Sequence, residues 1–261
     1  MNRPVYRFAP SPNGELHLGH AYSALLNQQL ARLSGGRLLV RLEDTDLTRC
    51  RPRFAAAILN DLAWLGLSWE EPVRVQSEHF LDYDTNLDKL WAMETIYPCF
   101  CSRKTASEGA LATTDPDGQP LYRGMCRALS RVEALRRVTA GAIHSWRLNM
   151  GACEGGEAAV WGDAVIAKRH AGSSYHIAVV TDDALQGVTD VVRGTDMEAA
   201  TSIHKLLQRL LGLPTPFYHH HELIRDETGR KLSKSLASPA IAALRKAGVT
   251  AADIRRQLGF P

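Results

Sequence analysis

The sequence predicts an α/β fold: a parallel sheet with helical crossovers, interrupted by an insertion and closed by a short helical tail. Three observations carry this. Strand-like and helix-period segments alternate from residue 3 to about 96, the mark of βαβ units. The rhythm fails between about 97 and 171 and then returns. Turn residues punctuate the joints, as in PSPNG (10–14) and the Gly35-Gly36 pair.

Residues 3–9 alternate, with Val5, Arg7 and Ala9 on one face and Tyr6 and Phe8 on the other. After the turn, Leu18, Tyr22, Leu25, Leu26, Leu30 and Leu33 recur at helical spacing, until Gly35-Gly36 ends the run. RLLVRLED (37–44) reads as a buried strand running into an acidic edge. A second helix starts near Pro52, carries Phe54, Ile58, Leu62 and Leu65, and stops at Gly66. A third runs from about Phe80 to Met93, with Tyr83, Leu87, Leu90 and Trp91 as its stripe. The irregular stretch holds a cysteine pair, the loop TTDPDGQP and glycines at 151, 155, 156 and 162. Beyond it VVTDDALQGV reads as helix and TDVVRG as strand. MEAATSIHKLLQRLLG follows as a helix with Ile203, Leu206, Leu207 and Leu210 inward, then FYHHHELI as a strand. The expected division is residues 1–96 for the first half of the sheet domain, 97–171 for the insertion, 172–235 for the second half and 236–261 for a helical tail.

Composition narrows the class. Hydrophobic residues make up 45% and charged residues 23%, the values of an ordinary soluble protein. The net charge of +3 and pI of about 8.6 permit an anionic partner such as RNA. No run reaches the roughly 18 apolar residues of a membrane helix, so no membrane partner is expected. Arg3, Pro4 and Arg7 break any signal-peptide core. Five cysteines (Cys50, Cys99, Cys101, Cys126 and Cys153) without a signal fit a reducing cytosol, and a cytoplasmic location is expected.

In an open parallel sheet, ligands bind beyond the carboxyl ends of the strands, so the first strand-to-helix turn is the default site. A helix N-terminus there suits a phosphate. His17 and His20 share a face of that first turn. They fit a phosphate contact, a zinc pair with no third ligand nearby in sequence, or surface caps. Gly19 between them leaves room for a flat group to approach the backbone. There is no GxxxxGK[ST] loop and no GxGxxG after the first strand. GRKLSKS (229–235), taken alone, reads as a solvated basic loop. Cys99 and Cys101 form C-x-C, with Tyr122 and Cys126 following; thiolates suit tetrahedral zinc, and three packed thiols are the alternative. His219, His220 and His221 look like a metal tract. Strand neighbours face opposite ways, so one or two are expected toward a nucleotide pocket and the rest toward solvent.

HLGH (17–20) and KLSKS (231–235) together resemble HIGH and KMSKS, the two ATP motifs of class I aminoacyl-tRNA synthetases. The match is closer than class. RFAPSPNGELHLGHAYSALLN, VRLEDTDLTR, DLAWLGLSWEE, QSEHFLDY, VVRGTD and GRKLSKS follow in the order and spacing of the glutamyl-tRNA synthetase catalytic domain, over nearly the whole chain. The sequence ends where that enzyme continues into an anticodon-binding region, and this shorter form resembles the glutamyl-Q tRNA(Asp) synthetases.

The resemblance implies a Rossmann-like catalytic domain with a zinc-containing insertion. It implies ATP-dependent activation of L-glutamate without tRNA, then transfer to queuosine in the anticodon of tRNA(Asp). The alternative is a glutamyl-tRNA synthetase fragment that charges a tRNA 3′ end. By resemblance His17, Gly19, His20, Lys231, Ser233 and Lys234 meet ATP, with Lys234 stabilising the transition state. Arg7 and Arg193 take the glutamate side chain with Tyr175 beside them. Glu43 takes the α-amino group, and Ala9 and Ser11 line the pocket. Cys99, Cys101, Tyr122 and Cys126 hold one structural Zn2+, Mg2+ accompanies ATP, and a monomer is expected. Cys50 and Cys153 are expected to be unliganded, and Asp44 and Asp46 to be loop or N-cap residues. A nucleotidyltransferase acting on a small substrate would lack the glutamate-pocket blocks. A silent tRNA-binding module would have lost HLGH or KLSKS.

Overall fold

The computed structural model describes residues 3–108, 113–168, 175–224 and 239–261. Along the chain these form β1 (Val5–Phe8), α1 (Leu18–Leu33), β2 (Arg37–Leu42), α2 (Pro52–Trp64), β3 (Glu70–Val75), α3 (Phe80–Ala92) and β4 (Ile96–Cys99). Then come α4 (Arg103–Ser107), α5 (Arg131–Thr139), β5 (Ser145–Leu148), β6 (Val165–Lys168), α6 (Tyr175–Leu185) and β7 (Asp190–Gly194). The last elements are α7 (Ala200–Leu211), β8 (Phe217–His221), α8 (Ile241–Lys246) and α9 (Ala251–Gln257). The chain folds as two compact units: Met1–Glu78 with Leu185–Glu198 and Pro216–Pro261, and His79–Ala184 with Ala199–Thr215.

The first unit holds the α/β architecture anticipated from the sequence. Its five strands are all parallel, in the order β3-β2-β1-β7-β8. β2 lies on one side of β1 and β7 on the other, so the strand order reverses at β1. That reversal is a topological switch point, where an open parallel sheet forms a crevice beyond its carboxyl ends.

The two faces of this sheet differ, and strand periodicity shows how. Tyr6, Phe8, Leu38, Val40, Leu42 and Val192 pack with Leu25 of α1, Ile58 and Leu62 of α2, Leu65, and the tail residues Ile241 and Ile254. Burying each such side chain contributes about 1.5–3 kcal/mol. Val5, Leu39 and Val191 belong to a second, smaller cluster. Two residues further along the same strands, on the same face, stand Arg7, Arg41 and Arg193.

Where α1 turns back into β2, an added Cβ at Gly36 would lie 2.7 Å from the carbonyl oxygen of Pro4, so only glycine lets the two segments approach. β3 was not anticipated. Its sequence EEPVRV looks like a turn, but as an edge strand it tolerates Pro72.

The second unit carries a three-stranded antiparallel sheet, β4-β5-β6, in the stretch that the sequence marks as irregular. Each strand has four residues, too few for alternation to stand out among glycine-rich neighbours. Tyr83, Leu87 and Leu90 of α3 face inward as expected. On α7, Ile203, Leu206 and Leu207 are buried but Leu210 is only half-buried, while His204 and Gln208 join the buried face. α6 starts at Tyr175, earlier than its apolar run, and Gly187 at φ +65° follows its end. No described helix is long and apolar enough to cross a membrane.

Candidate active site

The first turn of α1 is built by its two histidines. His17 is the N-cap, and its Nδ1 accepts the Gly19 backbone N–H at 3.1 Å. The Nδ1 of His20 accepts the His17 backbone N–H at 3.2 Å, closing a capping box, and the ring centroids stand 3.8 Å apart. A backbone N–H can only donate, so each Nδ1 must carry the lone pair. Each neutral ring therefore holds its proton on Nε2 as an N–H donor. The pair thus adds two side-chain donors at the end of a helix whose dipole already favours an anion. A Cβ at Gly19 would sit 3.0 Å from Cε1 of His17, in tight contact with the capping ring.

The turn before α1 is fastened to the loop after β2. Pro10 O accepts the Glu43 N–H at 3.0 Å, and Pro12 O accepts the Arg51 N–H at 3.0 Å. Ala9 and Ser11 are half-buried on this turn. Asp44 accepts from both the N–H and the hydroxyl of Ser77, at 2.8 and 2.6 Å. Asp46 closes a local turn through Thr48 and Arg49, and the Thr48 hydroxyl holds its carboxyl down at about 2. Both aspartates are loop residues; the N-cap of α2 is Arg51.

Arg7, Arg41 and Arg193 are 5%, 0% and 8% exposed. They come from three adjacent strands and share one sheet face near the carboxyl ends. Arg41 donates to Glu43 Oε1 at 3.2 Å and to Gln186 Oε1 at 3.0 Å. Arg193 lies over the Tyr218 ring at 5.2 Å. A face with three guanidinium groups and a carboxylate suits a ligand that carries carboxylates and an amino group. Arg41 and Gln186 escaped the sequence reading. The alternation Leu39, Arg41, Glu43 was the available signal, since it puts arginine and glutamate on one face.

Tyr175 is the first residue of α6, in the second unit, packed against His176 and His204. Lys231, Ser233 and Lys234, with the whole KLSKS motif, lie outside the described residues. Of the three consecutive histidines, His219 bonds Asp190 at 2.9 Å, His221 meets Tyr22 edge-on, and His220 stacks on Tyr218. They do not form a metal cluster among the described residues.

Within the second unit the Sγ atoms of Cys99, Cys101 and Cys126 all lie within 4.8 Å of one another. Cys101 Sγ is 3.6 Å from Cys126 Sγ and 3.3 Å from the Tyr122 hydroxyl. Tetrahedral zinc with thiolates at about 2.3 Å sets sulfurs about 3.8 Å apart, so this donor set fits such an ion. Tyr122 is already braced: its oxygen accepts the Cys126 N–H at 2.9 Å, and Arg147 covers its ring at 4.1 Å. Burial opposes ionisation of Cys99. Hydrogen bonding with Tyr122 and Cys101, and the nearby Arg147, outweigh it and hold that thiol below its ordinary value. Burial pushes Cys101 up to about 11. Cys50 and Cys153 are outside the cluster, and Cys153 donates to Thr95 O at 3.3 Å.

A strand-order switch with a histidine-capped helix following its first strand is a place where an open parallel sheet binds ligands, and comparison with known proteins defines the class. The profile of the family described as tRNA synthetases class I (E and Q), catalytic domain, matches residues 5–255. A glutamate tRNA ligase crystal structure from Elizabethkingia meningosepticum, solved with its amino acid, superposes with a TM-score of 0.75 at 24% identity. It matches 95% of this chain, which spans about half (54%) of that protein; at this identity the likeness is one of fold. Among curated proteins, a glutamyl-Q tRNA(Asp) synthetase of Rhodobacter capsulatus is 43% identical over 98% of this chain and 100% of its own length. One of Nitratidesulfovibrio vulgaris is 38% identical over 97% of this chain and 85% of its own. The chain belongs to the glutamyl-Q tRNA(Asp) synthetase family.

Proposed function

We propose that the protein activates L-glutamate with ATP, without tRNA, and transfers the glutamyl group to queuosine in the anticodon of tRNA(Asp). The single observation that carries the activation step is the set of three buried arginines with Glu43 on one sheet face. The relatives' names support the acceptor. The α-carboxylate of glutamate attacks the α-phosphate of ATP, the bond to the β-phosphate breaks, and pyrophosphate leaves. The carboxylate is already ionised, so no general base is needed, and positioning with charge neutralisation supplies the catalysis. A cyclopentene hydroxyl of queuosine then attacks the activated carbonyl, and AMP leaves.

In this reading Arg7, Arg193 and Tyr175 recognise the side-chain carboxylate, Glu43 the amino group, and Ala9 and Ser11 line the pocket. His17 and His20 donate from Nε2 to phosphate oxygens beside Gly19. Lys234 neutralises charge in the transition state, with Lys231 and Ser233 contributing to ATP binding. Mg2+ with ATP supplies further charge neutralisation. The protein acts in the cytoplasm as a monomer.

Pyrophosphate exchange tests the first step. Exchange is expected with glutamate and ATP in the absence of tRNA. Glutamine would leave buried positive charge without its counterion, at a cost of about 2–5 kcal/mol, so it should be at least about thirtyfold poorer. Equal exchange with both amino acids would remove the arginine pocket from the account.

Cys99, Cys101 and Cys126, with Tyr122, would hold one zinc ion as a structural brace for β4 and the segment after it. Metal analysis of untagged protein is expected to give about one zinc per chain. Cys126→Ser should lose that metal and lower the Tm. Full-length protein without zinc and with unchanged Tm in Cys126→Ser would mean that the thiols only pack.

A further inference from the structure

We propose that His176 and His204 are a positioning pair that sets the Tyr175 ring for glutamate recognition; the idea rests on the glutamate role given to Tyr175 above. His176 Nδ1 lies 3.1 Å from His204 Nε2. The Tyr175 ring stands edge-on to His176 at 5.1 Å and tilted against His204 at 5.8 Å, and the two imidazoles are 5.3 Å apart. Each ring of this group thus touches the other two. One imidazole donates and the other accepts, which fixes both ring planes at once. Those planes form the surface against which the phenol packs.

The group needs a rigid base, and the second unit provides one. His204 is 1% exposed on the inner face of α7. α6 is held in register against α3 by buried polar bonds. Tyr83 donates to Asp182 at 2.9 Å, and Asn86 donates to the Thr181 hydroxyl at 2.8 Å. Such bonds are costly to leave unmade, so the helix cannot slide or turn by a residue without losing them. Tyr175 lies seven residues before Asp182, about two helical turns from that lock. The histidine pair restrains the phenol ring there.

Steady-state pyrophosphate exchange on the full chain tests this. His176→Phe keeps a ring at a half-buried position but removes the nitrogen. It is expected to raise the KM for glutamate about tenfold, as loss of an orienting hydrogen bond does, with the KM for ATP and the Tm little changed. His176→Asn puts an amide where Nδ1 stood and should restore most of the glutamate affinity. His204→Leu and His204→Gln form the matching pair, because a glutamine amide reaches the place of Nε2. Tyr175→Ala is assayed alongside. If it leaves the glutamate KM unchanged, the glutamate role of Tyr175 fails and the pair's role with it. If it raises that KM while His176→Phe does not, the positioning role alone is overturned. Equal rises in both KM values with a fallen Tm, not rescued by the amides, would also overturn it.

Discussion

Arg193→Ala is expected to raise the KM for glutamate by about two orders of magnitude while the KM for ATP changes by less than about threefold. The side chain lies on β7 at the carboxyl edge, 8% exposed, with its guanidinium over the Tyr218 ring. A desolvated guanidinium facing a carboxylate is worth about 2–5 kcal/mol on truncation, and about 1.4 kcal/mol corresponds to a tenfold change. Charge, not bulk, should be responsible. Arg193→Met, which keeps most of the apolar stem, should therefore be nearly as impaired as the alanine variant. Arg193→Lys should recover only part, since a point charge does not reproduce the planar fork. Pyrophosphate exchange with each substrate varied in turn decides the matter. A variant with unchanged glutamate KM would make Arg193 a purely structural residue on the sheet.

The second large effect concerns stability. Arg41→Met is expected to cost about 3–5 kcal/mol in urea unfolding, because breaking a buried ion pair by removing one partner leaves the other charge poorly compensated. Arg41 is fully buried and bonds both the buried Glu43 and the half-buried Gln186, so its loss disturbs two acceptors together. The double variant Arg41→Met with Glu43→Gln should recover part of the loss, since it removes the stranded charge. A single variant less than about 1 kcal/mol below the parent would show that the pair contributes little to the fold.

The legible parts of the fold were those with a long period. α1, α2, α3 and α7 each repeat apolar residues over three turns or more, β1 alternates and β2 carries a short apolar run, so their existence and order follow from pattern. β4, β5 and β6 have four residues each and pair with partners far away in sequence, which no local pattern records. The site divides in the same way. HLGH declared itself by its place between a strand and a helix, but the use of both Nδ1 atoms in capping depends on backbone geometry that spacing does not encode. Arg7 and Arg193 came from resemblance. Arg41 did not, because a buried arginine in an apolar strand reads as a break in the pattern until its neighbours across the sheet are known. His204 was hidden for the same reason on α7, where the apolar stripe drew attention from the polar residue beside it.

The acceptor is the claim on which the whole account turns, and one measurement reaches it directly. Radiolabelled glutamate, ATP and the enzyme are incubated with queuosine-containing tRNA(Asp), and the product is cut by nuclease and mapped. The label should lie in the anticodon arm, survive removal of the 3′ CCA end, and be absent from tRNA(Glu) and from tRNA(Asp) that lacks queuosine. Label on the terminal adenosine, or equal labelling of tRNA without queuosine, would contradict the account and make the protein a synthetase that charges a tRNA 3′ end.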